Sequence, residues 1–104
     1  MSATTETLAD QVIATLREHE AELRAAGIRR LSLFGSVARG DYKAGSDVDL
    51  AVEFDREAGI GLIEVVGLEQ SLSALLSREV QLVPEPVEKQ RLQANIDRDR
   101  CRAF

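Results

Sequence analysis

The sequence predicts an α+β domain, a small mixed β-sheet with helices packed on one side, and three observations predict it. Leu8, Val12, Leu16 and Leu23, and again Leu62, Val65, Leu68, Leu72 and Leu75, recur at helical spacing. Val48, Leu50, Val52 and Phe54 alternate with other residues at the period of a half-buried strand. Glycines and prolines stand where such elements have to stop.

Taken in order, the first helix is predicted over residues 7–26, with Thr7 as N-cap and Gly27 as its stop. A strand over residues 30–34 runs into Gly35 and Ser36, and residues 37–39 begin a short helix whose free amides face that turn. Residues 41–46 are a polar loop. The alternating strand covers residues 47–54, and a second polar connection covers 55–61. A long helix follows over 62–76, then a strand over 79–83 closed by Pro84 and Pro86, which cannot donate to a ladder. Residues 88–99 form a charged helix anchored by Leu92 and Ile96, with Cys101 and Phe104 docking the tail. Three strands leave the sheet open, so an oligomer or a dedicated partner is expected to cover it.

With 104 residues and 44% hydrophobic content the chain fits one domain, residues 1–104. Its net charge of -5 is repelled by a phosphate backbone, so no direct nucleic-acid partner is expected, although Arg29, Arg30 and Arg39 make a local basic patch conceivable. A single cysteine, Cys101, and a single histidine, His19, exclude an intrachain disulfide, a thiolate zinc cluster and a cysteine-histidine nucleophile. No secretion-type leader and no apolar run of about 18 residues is found, so a cytoplasmic location and no membrane partner are expected.

The chemistry concentrates between Gly35 and Leu50. On an extended strand Asp47 and Asp49 share one face with backbones about 6.6 Å apart, close enough to converge on one or two magnesium ions. Gly35 lets backbone approach phosphate oxygens, and Ser36 adds a hydroxyl beside helix amides. Arg39 either reaches a phosphate or forms a surface ion pair, and the sequence leaves both open. In the two-metal scheme such a site activates an attacking hydroxyl and clamps the leaving pyrophosphate.

Phe34, Gly35, Ser36, Ala38, Arg39 and Gly40, followed by Ser46, Asp47, Val48 and Asp49, resemble the minimal nucleotidyltransferases of the polymerase β-type nucleotidyltransferase superfamily. The resemblance covers nearly the whole chain. It implies an antitoxin that neutralises a HEPN-domain toxin ribonuclease by transferring AMP from ATP to a toxin tyrosine, with Mg2+ as cofactor. It also implies Gly35, Ser36 and Arg39 as nucleotide-binding residues and Asp47 and Asp49 as catalytic metal ligands. One departure matters. The family's third carboxylate precedes a Leu-Val-Pro-Glu run, and here Leu82, Val83, Pro84 and Glu85 follow Gln81, whose amide cannot accept a proton at neutral pH. The alternative reading is therefore a catalytically impaired antitoxin of the same fold that works by binding. Transfer to a small molecule is a third, and the chain has no second domain to hold such a substrate.

Overall fold

In a computed structural model of the chain, residues 6–104 are described, and the first five residues of the single-domain reading lie outside them. Thr7 caps the first helix as expected, its Oγ1 accepting from the Asp10 amide at 3.0 Å while the Thr7 amide donates back to Asp10. The predicted continuous helix is broken at His19, giving α1 (Leu8–Glu18) and α2 (Glu20–Ala25). The His19 backbone opens to φ -105°, and nothing in the apolar spacing marks that break. Gly27 ends α2 at φ +106°, where a Cβ would also lie 2.9 Å from Ala58 and Ile60.

The remaining elements are β1 (Ile28–Phe34), α3 (Gly35–Arg39), β2 (Val48–Phe54), a single 3₁₀ turn (Arg56–Ala58), α4 (Leu62–Leu76), β3 (Val80–Pro84), α5 (Gln90–Asp99) and β4 (Cys101–Arg102). Among the described residues the sheet has four strands in the order β3-β2-β1-β4, not the three expected. β1 pairs antiparallel with β2 and β4, and β2 pairs parallel with β3. The mixed α+β architecture is as predicted. A two-residue strand has no periodicity to read, and β4 exists because the tail is tied down: Leu31 exchanges backbone hydrogen bonds with Ala103 and Phe104, and the Arg17 guanidinium donates to the Arg102 and Ala103 carbonyls.

One sheet face carries Leu31, Leu33, Val48, Leu50, Val52, Val80 and Leu82, buried under α1, α2 and α4. Every strand contributes alternate residues, so the other face carries Ser32, Phe34, Asp49, Ala51 and Gln81. The expectation of helices on one side only is corrected here. Phe34, Ala51 and Val83 make an apolar strip on that second face, and α5 covers it with Leu92 and Ile96. A second correction concerns α4: Leu72 is buried, but Leu62, expected on the core stripe, is 80% exposed, because α4 first reaches the core at Val65. The outer amides of the edge strand β3 are satisfied from α4, Val80 donating to Ser73 Oγ and Leu82 to Glu69.

The end of α5 is fixed by Arg100, which donates to both Glu85 oxygens at 2.9 and 2.6 Å, to Asp97, and to the buried Ser32 hydroxyl at 3.1 Å. The guanidinium, helped by Gln93, holds Glu85 below the ordinary glutamate range against the opposing effect of burial. A depressed folded-state value means this stabilisation is present above about pH 4.3 and is lost as pH falls through the lowered value. Arg100→Ala is expected to lower stability at neutral pH by about 1–2 kcal/mol and to flatten the acid limb of the stability profile. Urea unfolding between neutral and acidic pH measures both.

Candidate active site

The site forms where β1 ends against β2. Phe34 is the cross-strand partner of Asp49, and Gly35, at φ +80°, turns the chain into α3 immediately beside it. A Cβ built on Gly35 would lie 2.5 Å from Asp49 Oδ2, so the turn and the carboxylate are in direct contact. On the other side of β2, Asp49 is in register with Gln81 in the parallel pairing. The three positions therefore lie in one row across the sheet.

Asp47 sits just outside the strand to which the sequence assigns it, since β2 begins at Val48. The cause is local: β1 has already turned away at Gly35, and the ladder to β3 starts with Val48 paired to Val80. Asp47 is exposed, whereas Asp49 is half-buried. Ser36 does not cap its own helix, because the cap position is Phe34 and no side-chain cap bond is made. Its hydroxyl lies on the first turn of α3, beside amides that a helix start leaves unpaired.

For Arg39 the structure shows the ion-pair arrangement. Nε donates to Asp41 at 3.0 Å and Nη1 to Asp99 at 2.7 Å, which joins α3 to the end of α5. Asp99, sixty residues away in sequence and 4% exposed at its side chain, is a neighbour of the site that the sequence did not suggest. Under the 41–46 loop a hollow of about 340 Å³ is lined by Gly45, Ser46, Arg78 and Glu79, with Arg78 stacked 5.6 Å above the Tyr42 ring. Only the register of β3 brings Arg78 to this loop, which sequence spacing does not show.

Burial raises the Asp49 pKa, the Asp47 charge adds to the shift, and the Arg39 charge opposes it. The ionised carboxylate that a metal requires is thus disfavoured by the fold itself. Because the folded-state value is raised, the group stabilises the fold relative to the unfolded chain only in acid, and above the raised value it carries a penalty. Asp49→Asn should therefore raise the melting temperature at neutral pH, with the gain vanishing in acid, and thermal melts across pH check it.

Among the described residues no group of three or more histidine, cysteine, aspartate or glutamate side chains is placed to hold a metal ion. The donors present are two carboxylates and the Gln81 amide. Magnesium is ordinarily held by one or two carboxylates together with substrate phosphates and water, so this donor set fits a metal that arrives with a polyphosphate.

A glycine-serine turn pressed against one strand carboxylate, with a second carboxylate two residues before it on a small α+β sheet, defines a class of domain, one suited to a phosphate-bearing substrate beside a divalent cation. The chain belongs to the nucleotidyltransferase domain family, whose model matches residues 16–103. Membership places it among the transferases. It is 39% identical over 75 residues to the protein adenylyltransferase MntA of Thermococcus cleftensis, covering 71% of this chain and 74% of that one. A solved structure provisionally described as a minimal nucleotidyltransferase superposes with a TM-score of 0.71 at 32% identity, covering 95% of this chain and 98% of the other. The same fold, at 20% identity and a TM-score of 0.66, occurs in a complex of tri-AMPylated Shewanella oneidensis HEPN toxin with MNT antitoxin, covering 89% of this chain and 71% of the matched one. Among the described residues no helix is long and apolar enough to cross a membrane.

Proposed function

We propose that this domain, residues 1–104, is the cytoplasmic antitoxin of a HEPN toxin and transfers AMP from ATP to a tyrosine hydroxyl of that toxin. The observation that carries the reading is the Asp49 carboxylate seated against the Gly35 turn, with Asp47 beside it. The resemblance to a named protein adenylyltransferase and to a fold found with an AMPylated toxin supports the choice of group and acceptor.

In the reaction the tyrosine oxygen forms a bond to the α-phosphorus, the bond from that phosphorus to the bridging oxygen breaks, and pyrophosphate leaves with the electron pair. Asp47 and Asp49 would hold Mg2+, which when bound neutralises triphosphate and pyrophosphate charge. Gly35, lacking a side chain, admits the triphosphate to the turn; Ser36 donates its hydroxyl, and Arg39 offers the Nη2 edge that its two ion pairs do not use. The phenolic proton finds no carboxylate at residue 81. Gln81 cannot take it, so it passes to water and turnover is slow.

A second reading has its own observation. Gln81 occupies the position in register with Asp49, and Leu62 and Ile63 on α4, 80% and 84% exposed, with Val66 beside them, form an apolar surface suited to a protein partner. A domain that neutralises its toxin by occlusion needs that surface and not the chemistry. Labelled ATP, magnesium and the cognate toxin decide between them. The transfer reading expects label on a toxin tyrosine, abolished by Asp47→Ala with Asp49→Ala. It falls if wild type transfers nothing while that double variant still neutralises the toxin. Ile63→Asp should lose both complex and label with ATP binding intact, separating docking from chemistry.

A further inference from the structure

The sheet face that carries Asp49 holds a second concavity at its opposite end. Glu53 lies on the same face about 13 Å along β2, and Leu92 and Ile96 pack onto Ala51 between the two, so α5 separates the places. The hollow beyond α5 has a volume of about 580 Å³, within the roughly 300–1,000 Å³ of small-molecule sites. Buried Ser32 forms part of its floor, and Phe54 and Pro86 supply apolar wall.

Five guanidiniums line it, those of Arg29, Arg30, Arg56, Arg100 and Arg102, in a chain whose net charge is -5. Pairing puts them there: Arg30 is opposite Glu53, and Arg102 is opposite Ser32, so both project onto this face. Only part of the charge is neutralised. Arg100 is held by Glu85 and Asp97, and Arg29 lies 3.7 Å from Glu53, whereas Arg30, Arg56 and Arg102 have no ion-pair partner among the described residues. Like charges gathered around a concavity repel one another, and a multiply charged anion relieves that repulsion. Guanidinium forks match phosphate oxygens in bidentate geometry, which favours phosphate over a single carboxylate.

We propose that this hollow binds a small phosphorylated ligand of about mononucleotide size, at a site separate from the Gly35–Asp49 centre. The inference does not depend on adenylyl transfer. Its size and apolar wall favour a compact ligand over an extended strand.

The test titrates the full chain with inorganic triphosphate in the presence of EDTA, read by calorimetry and by amide NMR shifts. Saturable binding is expected, with the largest shifts at Ser32, Glu53, Arg56 and Arg102. Arg30→Glu with Arg102→Glu should weaken it by about tenfold or more, and so should Arg56→Glu, which lies outside the sheet and leaves strand pairing alone. Asp47→Ala with Asp49→Ala should leave it unchanged. Shifts confined to residues 35–39, or affinity unaffected by the arginine variants, would overturn the proposal. So would a single-stranded RNA oligonucleotide that displaces triphosphate and binds far more tightly with a steep salt dependence, because the hollow would then be part of a polynucleotide surface.

Discussion

Gln81→Asp is expected to raise the rate of AMP transfer to the cognate toxin by about 10²- to 10⁴-fold, the range a positioned general base contributes. The geometry is favourable because residue 81 is in parallel register with Asp49, on a neighbouring strand about 4.8 Å away, and on the same face. A carboxylate there could accept the tyrosine proton and add a third hard donor for the metal. It would also place a further negative charge beside Asp49, whose pKa is already raised by burial and by Asp47. In EDTA the variant should therefore melt at a lower temperature than wild type. Magnesium with a non-hydrolysable ATP analogue should restore more stability to the variant than to wild type. Single-turnover labelling and paired thermal melts make the two measurements. An unchanged rate together with an unchanged metal-dependent shift would show that Gln81 is not what limits the site.

What the sequence made legible follows from which forces are local. The alternation from Val48 to Phe54 and the apolar run from Leu62 to Leu76 gave those elements almost residue by residue, because each pattern is carried within a single strand or helix. Contacts between distant segments were not legible. Arg39 meets Asp99 only because α5 returns across the second face, and α5 returns there because Leu92 and Ile96 find Phe34, Ala51 and Val83. A charged helix with two apolar anchors carries no sign of which face it will choose. The β4 strand rests on Arg17 reaching the carbonyls of residues 102 and 103, which no periodicity encodes. The arginine-lined hollow shows the same limit, since its cations come from β1, the 3₁₀ turn and the chain end. By contrast Gln81 was singled out through the resemblance, as the position of the expected third carboxylate, and the parallel register sets it opposite Asp49.

Gly35→Ala tests the contact on which the proposed site depends. An alanine at φ +80° costs about 1–2 kcal/mol in backbone strain, a loss the domain should survive. The larger consequence is steric. The new methyl would start 2.5 Å from Asp49 Oδ2, far inside van der Waals contact, so either the carboxylate rotates off the shared face or the turn moves away from it. Displacement of catalytic groups by about 1 Å can cost about 10²-fold in rate, and a loss of at least that size is expected here. Gly59→Ala is the matched control, since Gly59 also has a positive φ, of 65°, but has nothing within 4 Å of its Cβ position and lies outside the site. It should show a comparable or smaller fall in melting temperature with labelling intact. Equal loss of labelling in both variants would mean that general destabilisation explains the effect. Loss in Gly35→Ala alone would mean that the absence of one side chain keeps the Asp49 carboxylate where a metal-bound triphosphate can meet it.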